Sequence, residues 1–450
     1  MADPTRFDPF GALRGVLRPP ADKSISHRAA MIAAMGTGET DVIGYLDAAD
    51  TRSTLAAVQA VGARLVGESA TATLAEDDGL GAARLRIAGV GLRGARPAAI
   101  DVGNAGTLLR LLPGWLAGQP QGKWTLDGDE SIRKRPVDRV ASPLREMGAR
   151  LAARDDRLPP LEVEGASLHG ITYELPAARD QVKSCLLFAG LLAAGETRVV
   201  EPLPTRDHSE RMLAAAGAQV RREGDTVVIA PAERLEPGRI VVPADFSSAA
   251  FFIVAATIVP GSDVLLHQVG LNPTRTGLLD ILRRMGAAKI EIADVAEDGG
   301  EPIGDIRVGH SELQGCEVGG ADVPLAIDEL PLVALAACFA AGTTTIRDAA
   351  ELRKKESDRI ATVTDALRAL GGQVEATEDG MVIEGTGGLR GGAIDSHGDH
   401  RIAMLGAIAG AASREGVEVT NMGAAAVSYP GFEGDLGSLQ QGPPLHDPVH

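Results

Sequence analysis

The sequence predicts an α/β (α+β) protein of two similar globular domains, each built from three copies of one helix-strand-helix-strand-strand unit. Three observations predict it. A polar opening followed by about fourteen small and apolar residues recurs six times, and self-similarity at such a period marks a repeat architecture. A near-identical glycine turn closes a second helix five times, at symmetric spacing. Aromatic residues make up only 3 % of the chain while glycine numbers 55, so the helices must pack on small side chains rather than around large rings.

The six openings are DKSISHRAAMIAAMGTG from Asp22, NAGTLLRLLPGWLAG from Asn104, DQVKSCLLFAGLLAAG from Asp180, DFSSAAFFIVAATIVPG from Asp245, IDELPLVALAACFAAG from Ile327 and DHRIAMLGAIAGAASREG from Asp399. An Asp or Asn at the start suits capping and a Gly at the end suits termination, so each stretch reads as a helix. The stretches are apolar nearly all round and are therefore expected to be buried. Short strand-like runs follow, such as TDVIGYL, KWTLDG and TRVVEPL. A second, amphipathic helix comes next in the first five units and ends at Gly62, Gly148, Gly217, Gly286 and Gly371, which are 86, 69, 69 and 85 residues apart. Two more strands close each unit.

The sixth unit is cut short after Phe432, and the N-terminal strand at residues 10–19 is expected to complete it. One domain then runs over 23–242, and the other joins 1–22 to 243–450. Two strands cross between them as a hinge near 20–23 and 241–245, and the active site is expected in the cleft. The segment 437–450 reads as a loose tail.

Net charge is −17, which argues against a nucleic-acid surface, because phosphate backbones need clustered Lys and Arg. A cationic pocket for a small anion remains compatible with an acidic exterior. Three widely spaced cysteines form no metal pair or disulfide framework, no signal pattern opens the chain, and the apolar runs are too short for a bilayer. A cytoplasmic protein without membrane contact is expected, and a monomer is the simplest state.

A helix cap needs only one Asp or Ser, yet these openings carry Lys23, Ser24, His27 and Arg28; Asn104, Gly106, Thr107 and Arg110; Gln181 and Lys183; Asp328 and Glu329; and Asp399, His400 and Arg401. Because they occupy one place in the repeat, they should lie at the same end of each domain, where helix N-termini and cations form an anion trap. The loops add Arg135 beside Pro136, Arg206 in PTRDH, and Lys355, Glu356 and Arg359 in KESDR. Arg133 and Lys134 read as solvated. GVGLRG at 89–94 opens no helix and is not a dinucleotide site. His267 and His310 read as structural, as do Cys185 and Cys338.

In DKSISHR (22–28), GNAGT with Arg110 (103–110), KRP (134–136), QVKS (181–184), TRDH (205–208), IDE (327–329), KESDR (355–359) and DHR (399–401), the chain resembles the enolpyruvyl transferases, specifically the branch acting on shikimate 3-phosphate. The resemblance runs from Arg18 to about Phe432. It implies the inside-out α/β barrel of that family and transfer of the enolpyruvyl group of phosphoenolpyruvate to the 5-hydroxyl of shikimate 3-phosphate. It further implies that Lys23, Gly106, Arg135, Gln181, Arg359 and Arg401 surround phosphoenolpyruvate. Lys23, Ser24, Arg28, Gln181, Arg206, Asp328 and Lys355 then hold shikimate 3-phosphate. Asp328 accepts the hydroxyl proton, Glu356 protonates the methylene carbon, and Lys23 assists. Asn104, Thr107 and His400 support. The chemistry calls for no metal or organic cofactor.

Three positions depart from the family pattern. Arg179, followed by Asp180, stands where many members have Ser, and a guanidinium there suits the shikimate phosphate. Val427 stands where some have Lys. Leu108, Leu109 and Leu111 replace smaller residues or Pro beside Gly106, at the place where glyphosate occupies the phosphoenolpyruvate site in the family. Gly106 itself argues for sensitivity to that inhibitor. The sister branch, which uses UDP-N-acetylglucosamine, has Asn after the first Lys and a loop Cys; here Ser24 follows Lys23. A non-catalytic anion binder is disfavoured by Asp328 and Glu356, since carboxylates weaken simple anion binding.

Overall fold

The computed structural model describes residues 3–67, 84–443 and 445. The chain divides into two compact units. An inserted unit comprises Ala21–Pro243 with Glu297–Glu301. A split unit comprises Met1–Pro20, Ala244–Ala296 and Pro302–His450. Each has its own apolar core.

The inserted unit holds α1 (Lys23–Met35), α2 (Ala49–Ala60), α3 (Gly106–Ala117), α4 (Asp138–Glu146), α5 (Asp180–Gly190) and α6 (His208–Ala215). Helices α1, α3 and α5 are the buried ones. Close packing on small residues is visible between α3 and α5, where a Cβ on Gly114 would collide with the carbonyl of Cys185. Two sheets share one order. In the first, 98–101 pairs parallel with 123–127, which pairs antiparallel with 158–164, which pairs antiparallel with 150–154. In the second, 172–174, 197–200, 226–229 and 220–223 repeat this. The parallel pairs are joined through α3 and α5, the crossover that parallel strands require.

The split unit holds α7 (Phe246–Ile258), α8 (Gly277–Arg284), α9 (Asp322–Ala326), α10 (Leu330–Phe339), α11 (Arg359–Ala369), α12 (His400–Ala412) and α13 (Phe432–Gln441). Every residue of α7 is buried. Its sheets keep the same plan, with 317–318 parallel to 341–346 and 392–395 parallel to 417–420. The five turn glycines all adopt φ between +93° and +111°, the conformation for which Gly carries no Cβ penalty.

Where the chain passes between units, the parallel edge strands are exchanged. Arg14–Leu17 precedes α1 in sequence but pairs with 263–270, the strand after α7. Arg239–Val241 precedes α7 but pairs with 39–43, the strand after α1. The expectation that residues 10–19 complete the sixth unit is corrected accordingly. Thr5–Phe7 joins the sixth sheet, with Thr5 opposite Val419, and Arg14–Leu17 fills the fourth. Each sheet needs an edge strand, and the one available is the one whose chain ends in that unit.

Two further expectations are corrected. The segment from 437 is helical through Gln441, because Phe432, Leu436 and Leu439 form one apolar stripe and all three are buried. Residues 444 and 446–450 lie outside the described residues. Capping by the opening Asp holds for Asp22, Asp245 and Asp399, whose carboxylates accept from backbone N–H groups. Helices α3, α5 and α10 lack a side-chain cap bond, and their polar openings are engaged elsewhere. No helix among the described residues is long and apolar enough to cross a membrane.

Candidate functional site

In the inserted unit the starts of α1, α3 and α5 are tied together by side chains. Arg28, one turn into α1, is almost fully buried. Its Nε donates to Ser209 Oγ (2.8 Å), Nη1 to the carbonyl of Ser24 (3.0 Å), and Nη2 to Ser184 Oγ (3.0 Å) and Asp180 Oδ2 (3.3 Å). Ser209 in turn donates to Ser184 (2.7 Å). Arg110 on α3 donates to Gln181 Oε1 (2.7 Å), and Gln181 Nε2 donates to Thr107 (3.2 Å). Burial first, then Arg135 and Arg139, lowers the Arg110 guanidinium to about 10. Asn104 accepts from Arg135 Nη2 (2.8 Å) and donates to Asp129 (2.7 Å), so it holds that guanidinium rather than capping α3. Gly106 leaves it room, since a Cβ there would stand 2.6 Å from Arg135 Nη1. Lys23 Nζ rests 3.2 Å from Asp50.

Lys183, in the third opening, belongs to a different cluster. Fully buried, its Nζ lies 2.9 Å from Glu201 and 2.5 Å from Glu210. Burial pushes the Glu210 carboxyl up despite Lys183. This is a core ion cluster, completed by Arg222 and Thr205 on Glu201.

In the split unit Asp328 stands at the centre. Its carboxylate is 3.2 Å from Lys355 Nζ, 3.4 Å from Arg359 Nη1 and 3.9 Å from Arg401 Nη2. Arg359 is anchored from below by Asp399, through Nε (2.9 Å) and Nη2 (3.2 Å), and Nη2 also reaches Glu356 (2.6 Å). Asp399 thus caps α12 and fixes the arginine at once. Arg401 Nη1 donates to the carbonyl of Asp328 (3.2 Å) and faces the buried Glu329 (3.7 Å), which accepts from Ser247 (2.5 Å). Burial acts to raise the Glu356 carboxyl, but Arg359 and the backbone outweigh it and hold it below its ordinary value. Burial first, then Arg401, drops His400 to about 4, so its imidazole is neutral at pH 7.

The structure therefore gathers Ser24, Arg28, Asn104, Gly106, Thr107, Arg135 and Gln181 in one unit, and Asp328, Lys355, Glu356, Arg359, His400 and Arg401 in the other. Arg179 shares no ion pair with Asp180, whose partner is Arg28; it acts on Arg110 through its charge. Asp180 feels Arg206 as well. Asp50, Ser184 and Ser209 were not legible as partners, because single Asp and Ser residues carry no spacing signal. Leu108, Leu109 and Leu111 are fully buried in the core, and Val427 is exposed. Arg133 is half exposed and paired with Asp127, His267 bonds Asp305, and Cys185 and Cys338 are buried.

Six α/β repeats, with helix starts carrying buried cations set against carboxylates and hydroxyls, define a class of protein built to hold small anions. Residues 7–436 match the family model described as EPSP synthase (3-phosphoshikimate 1-carboxyvinyltransferase), and the chain belongs to that family. It is 49 % identical over 427 residues to the 3-phosphoshikimate 1-carboxyvinyltransferase of Methylococcus capsulatus, covering 94 % of each chain. It is 50 % identical over 425 residues to that of Xanthomonas euvesicatoria, covering 94 % of this chain and 93 % of the relative. Its fold is similar to a solved EPSP synthase structure from Acinetobacter baumannii, with a TM-score of 0.88 and 41 % identity over 97 % of this chain and 98 % of the other.

Proposed function

We propose that this chain transfers the enolpyruvyl group of phosphoenolpyruvate to the 5-hydroxyl of shikimate 3-phosphate, releasing phosphate through a tetrahedral intermediate, in aromatic amino acid biosynthesis. The observation that carries the residue assignment is the single guanidinium of Arg359 that reaches both Asp328 and Glu356. Two carboxylates held on one cation suit a reaction needing a base at oxygen and an acid at carbon, each worth about 10²- to 10⁴-fold.

In this reading Asp328 takes the hydroxyl proton as oxygen attacks C2, and Glu356 delivers a proton to the methylene carbon. A proton then returns from the new methyl group to the Glu356 carboxylate as the C–O bond to phosphate breaks, which regenerates the vinyl group and releases phosphate, with Lys23 assisting its departure. Arg135, Arg359 and Arg401 grip the phosphoenolpyruvate anion in two-pronged fashion and Lys23 adds a point charge, with Gly106 against it and Gln181 between the substrates. Ser24, Arg28, Arg179, Arg206 and Lys355 hold shikimate 3-phosphate. Asn104 and Thr107 orient Arg135 and Gln181, and neutral His400 supports Glu356.

Glu356 poses one requirement. Paired with Arg359 it favours the ionised form, whereas a proton donor must be neutral. A substrate anion that draws Arg359 away removes the largest of the interactions that hold the carboxyl down, so that burial acts to raise it against what remains, the backbone first. Binding of phosphoenolpyruvate thus arms its own acid. Glyphosate is assigned to the same cations, supported by Gly106, where any side chain would collide with Arg135. The chain is read as a monomer and, in keeping with its three free thiols, as cytoplasmic.

The test is phosphate release from phosphoenolpyruvate with shikimate 3-phosphate as acceptor, run beside UDP-N-acetylglucosamine. Release with shikimate 3-phosphate alone is expected; release only with the nucleotide sugar, or with neither, overturns the reading.

A further inference from the structure

We propose that Asp180 is a resident anion on the shikimate 3-phosphate grip, lying on the face of Arg28 that an anionic group of the substrate needs, so that substrate binds by displacing it. This rests on the assignment of Arg28 and Arg206 to that grip.

Four hydrogen bonds use four of the five N–H groups of Arg28. Three go to neutral partners: Ser209, Ser184 and the carbonyl of Ser24. The fourth, and at 3.3 Å the longest, goes to the one anion, Asp180. The Arg28 side chain is 1 % exposed while that of Asp180 is 26 % exposed, so the carboxylate is the covering group and the serines are the frame beneath. Asp180 is also the first residue of α5, where the N–H groups and dipole of a helix favour a negative charge. A phosphate and a carboxylate have the same claim on that place. Burial acts against ionisation of Asp180, but Arg28, Arg206 and Lys183 outweigh it, so the resident group is charged and is attracted by both arginines assigned to the substrate.

Displacement has a consequence for affinity. A substrate anion seated on Arg28 must either repel Asp180 or wait for its side chain to swing away, and either weakens binding. A neutral side chain at this position would carry no such loss. The carboxylate also keeps a buried arginine paired when no substrate is present, and leaving such a charge unpaired is destabilising.

The experiment is equilibrium binding of shikimate 3-phosphate, without phosphoenolpyruvate, to the full chain and to its Asp180→Asn, Asp180→Ser and Arg28→Ala variants. Removal of the charge at 180 is expected to tighten binding about tenfold, the change that accompanies one tenfold step in an equilibrium constant. Inorganic phosphate, used as a second probe, should raise the melting midpoint of Asp180→Asn more than that of the unaltered chain, and the ligand-free midpoint should fall. Should Asp180→Asn not fold, Asp180→Ser provides the same readout. Unchanged or weaker binding in these variants, with Arg28→Ala still losing affinity, overturns the resident-anion role alone. Arg28→Ala binding shikimate 3-phosphate normally overturns the grip assignment, and the inference with it.

Discussion

The helix starts of the two units differ in what they set against their cations. In the inserted unit, Arg28, Arg110 and Arg135 sit among hydroxyls, amides and a carbonyl, with Asp180 the one carboxylate on Arg28. In the split unit, Arg359 and Arg401 meet Asp328, Glu329, Glu356 and Asp399. Neutral partners orient a guanidinium without cancelling its charge, so the first arrangement suits holding anions. Carboxylates cancel charge but can exchange protons, so the second suits chemistry. On the proposed function, one repeat plan serves two tasks through different partners for its cations.

The sharpest way to break this contrast is to neutralise the split unit's carboxylates. Asp328→Asn and Glu356→Gln are each expected to lower kcat by about 10²- to 10⁴-fold while substrate binding falls far less. Steady-state and single-turnover kinetics would separate these effects. A variant that raised only KM would place the carboxylate in binding and erase the distinction.

The inserted unit's deep ions are expected to matter for stability instead. Lys183→Met strands Glu210 in the core and leaves Glu201 to Arg222 and Thr205, and breaking such a buried pair costs about 3–5 kcal/mol. Urea unfolding followed by circular dichroism reads this as a lowered midpoint, with the loss confined to the transition of the inserted unit if two are resolved.

A smaller effect concerns pH. His27 is buried, bonded through Nδ1 to Thr54 (2.6 Å), and held down to about 3 by burial, Lys23 and Arg28, against Asp22. Its folded pKa lies below its unfolded one, so the unfolded state binds the extra proton and stability is lost as pH falls from about 6.5 toward 3. His27→Gln should remove up to about 1.4 kcal/mol per pH unit from that slope. An unchanged slope between pH 4 and 6 would assign the acid sensitivity to other groups, such as His400.

The smallest expected effect is at Arg179. Arg179→Ala should weaken shikimate 3-phosphate binding several-fold, within about 1–2 kcal/mol for one charge-assisted contact, and leave phosphoenolpyruvate affinity intact. Equal losses for both substrates would make Arg179 a general electrostatic contributor through Arg110.

The sequence by itself determined the repeats, the buried helices and the chemical identity of the openings. Each follows from local rules: apolar content and Gly termination mark the helices, and a surplus of Lys, Arg and Asp beyond any capping need marks the function. Tertiary structure alone decided the partners. Nothing local announces that Ser209 and Ser184 frame Arg28, that Asp50 receives Lys23, or that Lys183 turns away from the opening into the core. Asp399 looks like an ordinary cap in sequence, yet it also locks Arg359, 40 residues away. The exchange of edge strands at 14–17 and 239–241 was likewise hidden, because strand pairing depends on which unit the chain has reached rather than on the strand's own residues. Local propensity sets what an element is; which charges and edges it meets depends on long-range packing, and here that packing gives Arg28 mostly neutral partners and Arg359 carboxylates.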